Sequence, residues 1–375
     1  MKRILTIVGA RPQFIKAAAI SHTIREKFAD SICEDILHTG QHYDDAMSGR
    51  FFEELDIPQP KYNLGVGSGS HGVQTAAMLK GIEEILLSTH YDGLFVLGDA
   101  NSTWAGALAA SKLHIPVYHV EAGLRSFNRD MPEEINRIVT DHISSLLFAP
   151  TKTAVKNLQN EGFKDGNIVF SGDVMFDNVL HYAPIAIQNT HLRIESSSFI
   201  LATLHRDFNT DNHERLTNIL SALNSITEQF NTEILLPLHP RTRKIIDSMG
   251  FNSFSNRICV TEPLSYLETL AALQKSRLVL TDSGGLQKEA NFSGKCCVVL
   301  RPETEWVELV EDGAALLADA DCVLILEATA KLIDKTPKPT THFGNGHAAE
   351  IIIKHFVVER IIRIFAFQTI CCSPI

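Results

Sequence analysis

Short apolar runs alternate with longer amphipathic stretches along most of this chain. RILTIVG, GLFVLGD and PVYHVEA are typical of strands buried on both faces, whereas HGVQTAAMLKGIEEILLS carries apolar residues at helical spacing. Continuous apolar runs of this length suit parallel strands, because helices then cover both faces of the sheet. The repeated strand–helix pattern therefore predicts doubly wound α/β sheets.

The apolar runs fall into two series, and the second begins at SFILATLH. A chain of 375 residues is long enough for two separate cores. We expect two Rossmann-like doubly wound parallel-sheet domains facing a cleft, at residues 1–175 and 190–345, joined near 171–189. The stretch GHAAEIIIKHFVVERIIRIF predicts a long amphipathic C-terminal helix, residues 346–366.

Charge and cysteine usage narrow the class of protein. The net charge of −10 argues against a nucleic-acid partner, although a local pocket can still bind an anion. No apolar run approaches the roughly 18 residues that a membrane span needs, so no membrane association is expected. The seven cysteines are odd in number and lack paired CxxC spacing. Reduced thiols, a cytoplasmic location and no metal site are the resulting expectations.

The stretch LTDSGGLQKEA joins a strand to a helix. Ser283, Gly284 and Gly285 form the predicted turn, where free amides at a helix start can bind an anion. Glu289 follows one helical turn later, and a carboxylate there can accept from the hydroxyls of a ribose. The pattern indicates a site for a nucleotide diphosphate. The alternative is an ordinary capped turn with a solvated Glu289.

A second strand-to-helix turn, GARPQFIK, brings two cations to one strand end. Arg11 can contact a phosphate with two N–H groups, and Lys16 supplies a compact charge. Lys16 lies in an otherwise apolar stretch, where a lysine needs a partner. The alternative is a capped helix with a solvated lysine.

Further charged residues follow other predicted strands. Asp99 and Glu121 end two strands of the first series, and Glu134 lies in RDMPEEINR with Glu133 and Arg137. Converging acids and histidines suit acid–base chemistry, since their surroundings can separate their pKa values. HExxH, GxSxG and Walker motifs do not occur, which disfavours a metal site or a serine hydrolase. In the second series the strand ends carry His205 with Arg206, and His239 with Arg241.

Taken together, these motifs resemble the non-hydrolysing UDP-N-acetylglucosamine 2-epimerases over roughly residues 1–310. The resemblance implies a GT-B type fold whose last helix crosses back to the first domain. It implies reversible conversion of UDP-GlcNAc to UDP-ManNAc for surface polysaccharide precursors, without NAD or metal, in a homodimer. The motifs that carry it are GARPQFIK, HTGQHYD, GDANST, HVEAGLRSF, MPEEINR, TLHR, EPLSYLE and TDSGGLQKEA.

The resemblance also implies roles for individual residues. Asp99, Glu121 and Glu134 match the acidic trio implicated in catalysis, and His205 matches a histidine with a catalytic or diphosphate role. His239 and Arg241 are expected to bind substrate. The other expected substrate-binding residues are Arg11 and Lys16 for the phosphates, Ser283, Gly284 and Gly285 in the phosphate turn, and Glu289 on the ribose.

Two departures from the family pattern and three alternatives remain open at the level of sequence. HRDFNTDN replaces the HRREN or HRAEN of many members, and GVGSGSHGVQT lacks a basic residue expected for allosteric activation by substrate. GARPQFIK is also similar to relatives that epimerise UDP-2,3-diacetamido-glucuronate. A GT-B glycosyltransferase or a non-catalytic nucleotide-sugar sensor would use the same nucleotide site.

Overall fold

The chain forms two compact α/β units in the computed structural model. Residues 1–40, 52–190, 192, 198–251 and 254–358 are described. The first unit contains Met1–Asn178 and the segment from Thr341 onward, and the second contains Val179–Thr340. Residues 41–44 of the HTGQHYD motif, positions 359–366 of the predicted last helix and the tail with Cys371 and Cys372 lie outside the described residues.

The first unit is built on a sheet of seven parallel strands in the order β3-β2-β1-β4-β5-β6-β7. Strands β4 and β5 are buried along their whole length, as the continuous apolar runs predicted. The strands are Lys2–Val8 (β1), Ile32–His38 (β2), Tyr62–Asn63 (β3), Gly93–Leu97 (β4), Val117–Val120 (β5), Leu146–Ala149 (β6) and Ile168–Phe170 (β7).

Helices connect these strands and cover the sheet. They span Arg11–Lys27, His71–Ser88, Asn101–Lys112, Pro132–Ile143, Lys152–Asn160 and Val174–Asn189, with a 3₁₀ turn at Asp165–Asn167.

The second unit is built on six parallel strands in the order β10-β9-β8-β11-β12-β13. Its core joins the strands to the flanking helices through aliphatic residues such as Ile200, Leu223 and Leu280. The strands are Phe199–Thr203 (β8), Glu233–Pro237 (β9), Ile258–Thr261 (β10), Ser276–Thr281 (β11), Cys296–Val299 (β12) and Ala315–Leu317 (β13). The helices are Asp207–Thr210, His213–Gln229, Pro240–Ser248, Tyr266–Lys275, Gly284–Phe292, Val307–Glu311 and Cys322–Leu332.

Both sheets reverse their strand order once. In the first unit the reversal lies between β1 and β4, and in the second it lies between β8 and β11. Ligands of open α/β sheets bind at the carboxyl ends of the strands that flank such a reversal. The loops after β1, β4, β8 and β11 are therefore where a functional site is expected in each unit.

Residues 341–358 pack on the first unit, and residues 348–358 are helical. Asp177 accepts from the backbone N–H groups of Ala348 at 3.1 Å and Ala349 at 2.8 Å, so it caps this helix. Phe356 packs edge-on against Phe95 and Tyr118, with ring centroids 5.6 and 5.2 Å apart. Among the described helices, none is long and apolar enough to cross a membrane.

Candidate active site

Gln13 fixes the backbone at the reversal of the first sheet. Its Oε1 accepts from Gly9 N at 2.8 Å and from the Ser102 hydroxyl at 2.8 Å, and its Nε2 donates to Leu97 O at 3.0 Å. One buried amide thus ties the loop after β1 to the end of β4 and to the helix Asn101–Lys112. Arg11 is the first residue of the helix that follows, and this anchoring sets its position.

Lys16 and Glu121 form a buried ion pair at the ends of the central strands. The pair lies against Gly98, because a Cβ added there would be 2.6 Å from Lys16 Nζ and 3.4 Å from Glu121 Oε2. Gly98 has a φ of +64°, so both its backbone and its surroundings favour glycine. Glu121 itself has a φ of +71°. Such strain in a non-glycine residue concentrates at functional sites.

Arg137 holds the other two acids predicted for the first unit. Its guanidinium lies 2.7 Å from Asp99 Oδ2 and 2.8 Å from Glu134 Oε2. Asp99 remains about one-third exposed, whereas Glu134 is buried. Glu134 also accepts from the backbone N–H groups of Ser126 and Phe127, each at 3.0 Å. Glu134 therefore holds the loop that contains Ser126 and Phe127 in place, whereas Asp99 faces solvent.

In the second unit His205 and Asp282 follow the strands on either side of the reversal. Asp282 Oδ1 lies 2.9 Å from His205 Nδ1, and the carboxylate also accepts from the backbone N–H groups of His205 and Arg206. Burial opposes ionisation of Asp282, but the hydrogen bond and charge of His205 lower the pKa of this carboxyl below its usual value. The arrangement orients the imidazole through Nδ1.

The Ser-Gly-Gly motif starts the helix Gly284–Phe292, so the glycines are its first two residues and Ser283 is its N-cap. Ser283 Oγ accepts from Leu286 N at 3.4 Å. A Cβ added at Gly284 would meet its neighbours at ordinary contact distances of 3.6 Å or more. Packing alone therefore does not require glycine at this position, which is consistent with a need for close approach by a ligand. Glu289 is buried on the same helix rather than solvated.

His239 and Arg241 begin the helix that follows β9. His239 is the N-cap of this helix, and its Nδ1 accepts from Arg241 N at 3.3 Å. The Arg241 guanidinium pairs with Asp207 at 2.7 Å and with Asp211 at 2.6 Å. Asp207 is the first residue and Asp211 the C-cap of the short helix after His205, so Arg241 restrains the segment that follows the histidine.

Sequence reasoning gave no role to Asp282, Gln13 or Asn136. Asp282 lies at the end of a buried strand, directly before the Ser-Gly-Gly motif, and this placement was the available signal. Asn136 donates to Asp99 O at 2.9 Å, a contact with no pattern in the sequence.

The fold and these strand ends define a two-unit α/β protein of the GT-B type. The family model described as UDP-N-acetylglucosamine 2-epimerase matches residues 26–357, and this chain belongs to that family.

Curated relatives cover nearly the whole chain. The UDP-2,3-diacetamido-2,3-dideoxy-D-glucuronate 2-epimerase of Pseudomonas aeruginosa is 50% identical over 94% of this chain and 99% of its own length. The UDP-N-acetylglucosamine 2-epimerase of Methanocaldococcus jannaschii is 44% identical over 93% and 97%. The crystal structure of UDP-GlcNAc 2-epimerase from M. jannaschii in complex with UDP-GlcNAc and UDP aligns with a TM-score of 0.84 at 41% identity, covering 97% of this chain and 99% of that one.

Proposed function

We propose that this protein is a non-hydrolysing 2-epimerase of a UDP-activated 2-acetamido sugar, acting by elimination and re-addition of UDP. The observation that carries the proposal is family membership combined with charged groups at both sheet reversals. The first unit carries the acids Asp99 and Glu121, and the second carries the Ser283 helix start and the oriented His205.

The reaction needs acid–base groups and stabilisation of a departing diphosphate. The hydrogen on C2 of the sugar is barely acidic, since no carbonyl adjoins it. Loss of that proton together with cleavage of the C1–O bond forms a C1–C2 double bond, and the electron pair of the C1–O bond leaves with UDP. Re-addition of UDP at C1 with protonation of C2 from the opposite face inverts C2. General acid–base residues and fixed cations lower the barriers of both steps.

We assign the acid–base work to Asp99 and Glu121, each at a strand end of the first unit. Lys16, paired with Glu121, fixes the direction of that carboxylate. Glu134 supports this work by holding Arg137, which orients Asp99.

We assign UDP binding to Arg11, the Ser283–Gly285 helix start, His205 and Glu289. Backbone N–H groups at a helix N-terminus and a guanidinium both bind phosphate well. Glu289 is placed as the acceptor for the ribose hydroxyls, and His239 with Arg241 positions the loop around His205.

Two sugars are candidate substrates. UDP-GlcNAc, giving UDP-ManNAc, is the substrate named for the relative from M. jannaschii. UDP-2,3-diacetamido-2,3-dideoxy-D-glucuronate is favoured by the relative from P. aeruginosa, whose 50% identity exceeds the 44% of the M. jannaschii protein.

A substrate comparison tests the proposal. The purified protein is incubated separately with each UDP-sugar, without acceptor, and the products are separated by anion-exchange chromatography and identified by proton NMR. Conversion of either sugar to its C2 epimer supports 2-epimerisation, and the ratio of kcat/KM identifies the substrate. A glycosyltransferase or a sensor would leave both sugars unchanged, and that result would contradict the proposal.

A further inference from the structure

A buried histidine next to the proposed catalytic acids has no role so far. His119 lies in β5, two residues before Glu121, and is fully buried. Its Nδ1 lies 2.7 Å from Asp141 Oδ1, and its Nε2 lies 2.8 Å from the carbonyl oxygen of Gly98. Both ring nitrogens are therefore engaged inside the first unit.

The partners determine which ring nitrogens carry a proton. A backbone carbonyl can only accept, so Nε2 must be the donor to Gly98. Asp141 lies 2.8 Å from the Arg125 guanidinium and accepts from Gly123 N at 3.1 Å, and a cation with a backbone donor at these distances favours the ionised carboxylate. An ionised carboxylate also only accepts. Both nitrogens of His119 therefore donate, and the ring is an imidazolium.

This charge is balanced by a buried network. Asp141 Oδ2 lies 2.8 Å from the Arg125 guanidinium and accepts from Gly123 N at 3.1 Å. Arg125 in turn donates to both oxygens of Glu161, each at 2.7 Å. Cations and anions thus alternate in a series that starts at Gly98 and ends at the partly exposed Glu161. The charged groups of this series are His119, Asp141, Arg125 and Glu161. Such a network is costly to break by removing one member, since the partner charge stays buried.

The Gly98 carbonyl that His119 holds belongs to the peptide joining Gly98 to Asp99. Gly98 also borders the Lys16–Glu121 pair, with only 2.6 Å between Lys16 Nζ and an added Cβ. A rotation of this peptide would move Asp99 and would also change the space available to the Lys16–Glu121 ion pair. The contact to Gly98 therefore controls the direction of both proposed acids.

We propose that His119 is a positioning residue that, through Nε2, fixes the Gly98–Asp99 peptide and so aligns Asp99 and Glu121 for proton transfer. This inference rests on the proposed 2-epimerase function. It assigns His119 no contact with substrate, and it predicts that the Nε2 contact matters for turnover more than the Nδ1 contact does.

Two substitutions separate the two contacts. In His119→Gln the amide nitrogen takes roughly the place of Nε2 and keeps the bond to Gly98. In His119→Asn it takes roughly the place of Nδ1 and keeps the bond to Asp141 instead. We expect His119→Asn to lower kcat by about 100-fold, the scale of a 1 Å misplacement, with KM little changed. His119→Gln should retain kcat within about tenfold of the wild type.

Glu161→Gln is the matched control, because it weakens the far end of the network without contacting Gly98. It should lower the melting temperature and leave kcat unchanged. Equal losses of kcat in both His119 variants, or full activity in His119→Asn, would show a purely structural role and overturn the proposal.

A readout without substrate separates this inference from the proposed function. Histidine side-chain ¹⁵N NMR of the wild type at the assay pH should show a ring with both nitrogens protonated whose signal vanishes in His119→Gln. A His119 ring with one unprotonated nitrogen would contradict the assignment. Absence of wild-type turnover on both sugars would instead refute the proposed function, and the ¹⁵N spectrum would then decide the protonation of His119 by itself.

Discussion

The Asp282 carboxylate lies 2.9 Å from His205 Nδ1, and it is fully buried while the histidine side chain is 49% exposed. The carboxylate thus fixes the orientation of the imidazole ring through Nδ1, and Nε2 is the nitrogen that can reach a ligand. A pair of this kind, in which a buried acid fixes the tautomer and direction of a histidine, is common where imidazole contacts substrate.

Asp282→Asn tests this pairing. The amide can donate to Nδ1, which would leave Nε2 as the protonated nitrogen and reverse the tautomer. We expect a fall in kcat of at least about tenfold, because Nε2 would no longer present the same hydrogen-bonding group to the departing diphosphate. Steady-state kinetics of Asp282→Asn and of His205→Asn, measured under the same conditions, give the size of the effect. Wild-type kcat in Asp282→Asn would show that turnover does not depend on the orientation of His205 by Asp282.

The Lys16–Glu121 pair predicts a non-additive response. Glu121→Gln should abolish turnover while preserving UDP binding, because Glu121 is not one of the residues assigned to UDP binding. It should also destabilise the protein by about 3–5 kcal/mol, since Lys16 stays buried with its charge. Adding Lys16→Met should restore much of that stability and none of the activity. Thermal unfolding of the two single variants and the double variant measures the coupling. Near wild-type turnover in Glu121→Gln would exclude Glu121 from the mechanism.

Glu289 is predicted to bind the ribose of UDP. Glu289→Ala should weaken UDP binding by roughly 1.5–3 kcal/mol, the value of hydrogen bonds to a charged group. Isothermal titration calorimetry measures the loss, with Asn291→Ala on the same helix as the control. Unchanged affinity in Glu289→Ala, with the control also unchanged, would assign this buried carboxylate to packing alone.

Asp177 predicts a pH dependence of stability. Burial raises the pKa of this carboxyl to about 6, although the N–H groups of Ala348 and Ala349 oppose the shift. Because the folded pKa exceeds the ordinary value near 3.9, the folded state binds more protons between about pH 4 and 6. This contribution to stability is therefore fully present below about pH 4 and is lost as the pH rises through 6.

The comparison variant is Asp177→Asn, which cannot titrate. The melting temperature of the wild type relative to this variant should fall as the pH rises from about 4 to about 7. A constant difference across that range would show that the carboxyl titrates normally in the folded protein.

The central strands of both sheets were predictable from sequence, because strands buried on both faces need continuous apolar runs. The parallel α/β fold is confirmed. The strands Tyr62–Asn63, Ile168–Phe170 and Ala315–Leu317 were missed, since these edge strands have two or three residues and are partly exposed. The unit boundary at Asn178 and Val179 falls inside the helix Val174–Asn189, where periodicity gives no break.

The candidate site could be predicted only as a set of residue types at strand ends. Sequence placed Asp99, Glu121 and His205 at such ends, and the structure adds their partners Arg137, Lys16 and Asp282. Pairings of this kind depend on which strands become neighbours, and that follows from the sheet order rather than from local pattern. The roles of these residues remain predictions.

Elimination and re-addition of UDP require the C2 proton to leave the sugar, so exchange with D₂O tests the proposed 2-epimerisation. The preferred UDP-sugar is incubated with the protein in D₂O and followed by proton NMR. If UDP is eliminated and re-added, the C2 epimer forms with deuterium at C2, the C2 proton signal of recovered substrate also declines, and no free sugar accumulates. An epimer that keeps its C2 proton, or release of free sugar as the main product, would contradict the account.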